Sequence, residues 1–98
     1  MMIEIKKNTQ DTIIEIVGRL DTTTAPSLEK TIKEDIGDTK NLVIDLKGLE
    51  YISSAGLRVL LSAQKKMQQI GALKILNVGE SIMEVFKITG FDEILTIE

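Results

Sequence analysis

Apolar and polar positions alternate at the start of the chain and then change period. Met2-Ile3-Glu4-Ile5-Lys6 and Thr12-Ile13-Ile14-Glu15-Ile16-Val17 partly alternate and are rich in β-branched side chains. With the polar Asn8-Thr9-Gln10-Asp11 between them, they predict a hairpin of two strands, closed by Gly18-Arg19-Leu20-Asp21. Leu28, Ile32 and Ile36 then recur every four residues, with Glu29, Lys30, Lys33 and Glu34 outside the stripe. This predicts a first helix with candidate caps in Thr22-Thr23-Thr24, Pro26 in its first turn and Gly37 as its stop.

After Asp38-Thr39-Lys40, the branched run Leu42-Val43-Ile44-Asp45-Leu46 predicts a central strand covered on both faces. A second helix is expected from near Ala55 to Gly71, with Leu57, Leu60, Leu61, Ala63 and Met67 turned inward. Leu73 to Val78 reads as the next strand. Ser81-Ile82-Met83-Glu84 has the spacing of a capping box, opening a third helix with Ile82, Val85 and Phe86 on one side and Gly90 as its stop. Ile94-Leu95-Thr96-Ile97 completes the pattern as an edge strand. The order β-β-α-β-α-β-α-β implies an α/β fold, a mixed central sheet with crossover helices packed on one face or both. No linker or repeat interrupts it, so residues 1–98 read as one domain.

Composition narrows the function. Hydrophobic residues make up 43% of the 98 positions, enough for one core, and no apolar run approaches the roughly 18 residues that span a bilayer. Met1-Met2-Ile3-Glu4-Ile5-Lys6 brings in charge too early for a secretory signal, so the expected location is cytoplasmic, without membrane insertion. The 12 basic and 15 acidic residues leave a net charge of −3 without a block of one sign, and one Tyr, two Phe and no Trp offer few stacking platforms. Both facts argue against direct nucleic-acid binding. Cysteine and histidine are absent, removing a thiol nucleophile, the usual general base and the commonest metal ligand.

The candidate chemistry is correspondingly narrow. Ser27-Leu28-Glu29-Lys30 and Ser62-Ala63-Gln64-Lys65 match a Ser-x-x-Lys spacing, but both lie inside ordinary helices without the companion motifs of that enzyme class. Acidic residues show no Ca²⁺-loop spacing, and Gly48 and Gly56 are not followed by a phosphate-loop lysine. The chain is expected to be no enzyme and to use no metal or cofactor. Ser53-Ser54-Ala55-Gly56 stands out at the handover from the central strand to the second helix. A helix cap worth about 1 kcal/mol accounts for one serine. Gly56, within the first helical turn, costs about 1 kcal/mol relative to alanine, which suggests close approach of another molecule. A serine at a helix N-terminus also suits phosphorylation, since unpaired N–H groups and the positive end of the dipole favour the new charge. Capping and switching both fit these residues.

Three pieces in order carry a resemblance that spans essentially all 98 residues. Gly18-Arg19-Leu20-Asp21 with Thr24-Ala25 and Leu28 is similar to a first-loop signature, Leu42 to Leu46 to a central strand, and Tyr51-Ile52-Ser53-Ser54-Ala55-Gly56-Leu57 to a phosphorylation motif. Together they resemble the STAS domains, and within them the bacterial anti-sigma factor antagonists. The resemblance implies that Ser54 is the phosphoacceptor and that Asp21, Ser53, Gly56, Leu57 and Arg58 belong to the partner-binding surface. It implies an unphosphorylated form that binds an anti-sigma serine kinase and frees a sigma factor. Phosphorylation by that kinase would break the complex, a PP2C-type phosphatase would restore it, and the free chain would be a monomer. Two positions depart from the pattern: Ser53 stands where the family has an aspartate, and Arg58 puts a cation in a first turn that disfavours it. Arg58 reads either as a surface residue or as a contact to the partner or to a phosphate on Ser54. The alternative to the switch is a non-phosphorylated STAS subunit of a larger complex, such as a lipid-transport ATPase or a signalling scaffold.

Overall fold

A computed structural model describes residues 1–8, 10–37 and 39–98; Thr9 of the expected hairpin connection and Asp38 after the first helix lie outside the described residues. The chain runs β1 (Met2–Lys7), β2 (Asp11–Leu20), α1 (Ala25–Asp35), β3 (Asn41–Ile52), α2 (Ser54–Ile70), β4 (Ala72–Leu76), α3 (Glu80–Thr89) and α4 (Phe91–Ile94). The strands form one sheet in the order β1-β2-β3-β4. β1 lies antiparallel to β2, whereas β2, β3 and β4 are mutually parallel, so the sheet is mixed.

Side-chain alternation decides which face is covered. Ile14, Ile16 and Leu20 of β2, Leu42, Ile44 and Leu46 of β3, and Leu73 and Ile75 of β4 are buried, while Ile13, Val17, Lys47 and Lys74 are exposed on the other side. The helices thus cover a single face, joining Leu28 and Ile32 of α1, Leu60 and Met67 of α2, and Phe86 of α3 to the strands in one core. This corrects the expectation for β3. It is an interior strand, but Val43 and Asp45 are only half-buried because no helix crosses their side of the sheet.

Two strands outrun their sequence signals. β2 continues through Gly18 to Leu20 because Gly18, at φ +104, accommodates the register shifts that let β2 keep pairing with the long β3. At the end of α2, a Cβ on Gly71 would lie 1.9 Å from the Lys40 carbonyl oxygen. Glycine is therefore what lets β4 begin against the β3 approach, where the Ala72 N–H donates to Lys40 O at 2.8 Å.

The C-terminal third differs from expectation in two places. α3 starts at Glu80 with Gly79 as its cap residue, and the Ser81–Glu84 spacing makes no side-chain cap. The last expected strand is replaced: Gly90, at φ +82, ends α3 in a left-handed turn, Phe91–Ile94 form α4, and only Ile97 bridges in parallel to Ile75. The observed order is β-β-α-β-α-β-α-α. Leu95, buried in the core, anchors the segment between.

Candidate functional site

Two parallel strands finish together at one rim of the sheet, β2 at Leu20 and β3 at Ile52, whereas β4 ends earlier, with Leu76 level with Asp45. Loops at the carboxyl ends of parallel strands are where α/β sheets place their functional groups. Leu20 and Ile52 are register partners, and the Ser53 N–H donates to Leu20 O at 2.9 Å. The next residues of the two strands, Asp21 on one side and Ser53 on the other, therefore leave the sheet side by side, and Ser54 follows as the first residue of α2.

The two serines have different surroundings. Ser53 is the N-cap residue of α2, with extended backbone, yet its hydroxyl makes no cap bond; its Oγ is buried and without a hydrogen-bond partner. Ser54 is the first helical residue and is exposed. The first intrahelical bond runs from the Leu57 N–H to Ser53 O at 3.0 Å. Ser54, Ala55 and Gly56 precede that bond, in the positions whose N–H groups have no intrahelical acceptor.

Asp21 is fixed by its own loop. Its Oδ1 accepts from the Thr23 hydroxyl at 2.7 Å, the Thr23 N–H at 3.0 Å and the Thr24 N–H at 3.1 Å. The Thr23 hydroxyl, opposed by partial desolvation and aided by the two N–H groups and the Thr24 hydroxyl, holds the Asp21 carboxyl below its usual range. Thr24 locks the loop from the other side, its Oγ donating to Arg19 O and accepting from the Asp21 N–H, both at 2.8 Å. Arg19 reaches Asp21 Oδ2 at 3.9 Å and lies over the Tyr51 ring, 4.2 Å from its centroid. Above the α1 and α2 N-termini, Thr22, Pro26, Glu29, Ala55, Arg58 and Ser62 line a shallow groove of about 330 Å³.

A model of the STAS domain matches residues 2–98. The chain belongs to the STAS domain family. It is 32% identical over 96 residues to the anti-sigma-B factor antagonist of Bacillus subtilis, covering 97% of this chain and 88% of that one. An anti-sigma factor antagonist structure from Mycobacterium paratuberculosis matches with a TM-score of 0.88 and 25% identity, over 98% of this chain and 83% of that one. The phosphorylated form of the Bacillus cell fate determinant SpoIIAA shares the fold, with a TM-score of 0.77 and 18% identity, over 99% of this chain and 91% of that one.

Within this STAS domain the expected site residues divide by exposure. Ser54 and Arg58 face solvent, Asp21 and Ser53 are half-buried, and Gly56 and Leu57 are buried. Gly56 points at the sheet: a Cβ there would sit 2.7 Å from Leu20 Cγ and 2.9 Å from Ile52 Cγ1. The glycine lets α2 seat on the ends of β2 and β3, so helix–sheet packing, and not access for another molecule, accounts for it. Leu57 is likewise a core residue, at 7% exposure. Arg19 and Tyr51 were not singled out by sequence reasoning, although the only tyrosine lies three residues before Ser54 and faces Arg19 in the β2–β3 register.

The remaining polar features lie elsewhere. A depression of about 520 Å³ sits on the uncovered sheet face between Glu15, Val17, Asp45 and Lys47. Its carboxylates are occupied: Glu15 pairs with Lys6 at 3.3 Å, and Asp45 accepts from the Lys47 N–H and Asn77 Nδ2. Ser27, Lys30, Ser62 and Lys65 are exposed on helix surfaces. Among the described residues no group of three or more carboxylates is arranged to hold a metal, and no helix is long and apolar enough to cross a membrane.

Proposed function

We propose that this STAS domain is an anti-sigma factor antagonist whose binding is switched by phosphorylation of Ser54. The observation that carries the reading is the exposure of the Ser54 hydroxyl at the first position of α2, beside a neighbour whose own hydroxyl is buried. A kinase can approach Ser54 from solvent, whereas Ser53 Oγ is covered. The relatives' names support the regulatory class.

In this reading the unmodified chain docks through the rim formed by Asp21, Ser54 and Arg58 onto an anti-sigma serine kinase, which then releases its sigma factor. The kinase supplies a nucleoside triphosphate: Ser54 Oγ bonds to the γ-phosphorus, the bond to the nucleoside diphosphate breaks, and the hydroxyl proton passes to a base of the kinase. The product carries about −1.5 to −2 charge at a place the partner had contacted, and juxtaposed like charge or a lost hydrogen bond breaks the complex. A PP2C-type phosphatase reverses the step. Asp21, kept ionised by Thr23 and Thr24, adds to the negative field that the modified rim presents.

The test is a kinase assay with the cognate anti-sigma kinase. Ser54→Ala is expected to bind but to take up no phosphate, and Ser54→Asp to bind about tenfold or more weakly. Full labelling of the Ser54→Ala chain would remove Ser54 from the mechanism.

A further inference from the structure

Arg58 stands four residues after Ser54, on the same face of α2, and both side chains are exposed. Its electrostatic position is unfavourable as the chain stands. It brings a full positive charge to within one turn of a helix start, near the positive end of the dipole and the unpaired N–H groups of Ser54, Ala55 and Gly56. No carboxylate compensates it: among the described residues none lies within 4.0 Å of Arg58. Glu29 lines the same groove but is engaged with Lys33 at 3.0 Å. The chain's other arginine is differently placed, held between Asp21 and the Tyr51 ring.

A cation that weakens the helix start in the unmodified chain becomes favourable once a dianion is attached one turn earlier. We propose that Arg58 is the intramolecular receptor of a phosphate on Ser54, pairing with it through its planar fork of N–H donors. The proposal rests on the reading of Ser54 as phosphoacceptor and adds a second half to the switch. Before modification the guanidinium is open to a carboxylate of the partner; afterwards it is turned back onto its own chain. Phosphorylation thus subtracts a positive contact from the docking rim as well as adding a negative one. Of the charged groups at this rim and groove, Asp21 and Arg19 from β2 and the loop after it, Glu29 from α1 and Arg58 from α2 itself, Arg58 alone is a cation without a partner among the described residues.

The test uses full-length chain carrying phosphoserine at position 54 installed during synthesis, so that no kinase is involved. Phosphorus NMR follows the second ionisation of the phosphate, near pH 6 in an unperturbed phosphoserine. With Arg58 present it is expected about 0.3 of a pH unit lower than in Arg58→Gln, with Arg58→Lys in between and the difference shrinking in high salt. Superimposable titrations of the parent and Arg58→Gln chains would overturn the proposal. The Arg58 Nε–H resonance of the parent chain provides a second readout that needs no variant. It is expected to shift on phosphorylation, and an unmoved resonance counts equally against the proposal. Failure of the cognate kinase to label Ser54 would instead overturn the phosphoacceptor reading, and the two failures are distinguishable because the titration does not use the kinase.

Discussion

Asp21 Oδ1 gathers two backbone N–H groups and the Thr23 hydroxyl, and the hydroxyl contributes most to lowering its pKa from the ordinary 3.8. A carboxyl with a native pKa below its unfolded one stabilises the fold above the unfolded value and loses that contribution as pH falls through the native value. Thr23→Val removes the hydroxyl donor. It is expected to raise the Asp21 pKa and to begin that loss at a higher pH, as read by carbon NMR titration of the side-chain carboxyl. The same scale explains what was legible at the serine pair. The Ser53-Ser54 doublet marks the handover in sequence, and four-residue spacing places Arg58 on the face of Ser54. Which hydroxyl is buried depends on the ladder bond from the Ser53 N–H to Leu20 O, a contact across 33 residues that no local pattern encodes.

At the scale of elements, α2 is seated by an absence. Gly56 faces Leu20 and Ile52 at a distance that excludes a methyl group, and both contacting side chains are buried in the core. Gly56→Ala gains about 1 kcal/mol of helix propensity but overpacks the junction by about 1–3 kcal/mol. Net destabilisation of about 1 kcal/mol is expected in urea unfolding, and an unchanged or raised midpoint would contradict the packing account. Sequence periodicity reads the stripes of Leu28, Ile32 and Ile36 or of Leu57, Leu60 and Met67 directly. It cannot tell a glycine buried against a neighbouring strand from one left open to a partner, since both appear as a missing side chain. For the same reason Gly18 reads as the end of a strand although β2 passes through it, and Ser81 reads as a cap although Gly79 occupies that position.

Across the whole molecule, the helices protect one side of the sheet and neighbouring strands protect β3 along both edges. β1 has one pairing partner, and most of its residues are exposed. Amide hydrogen exchange should therefore be slowest in Leu42–Leu46 and markedly faster in β1, the reverse order being incompatible with this sheet. The element order was legible except at the end, where Ile94 to Ile97 carry strand-forming side chains. Gly90 turns the chain into a short helix first, and Leu95 is committed to the core, leaving Ile97 alone to reach β4. The bond between the Ser53 N–H and Leu20 O has one more implication. It fastens the start of α2 to the paired ends of β2 and β3, so the backbone that carries a group added to Ser54 is held in place. Information written there would be carried by charge on a fixed backbone, and salt confines such a signal to about 8 Å. A reader of that signal has to lay its surface directly on the rim, and raising ionic strength should blur the two states before it unfolds either.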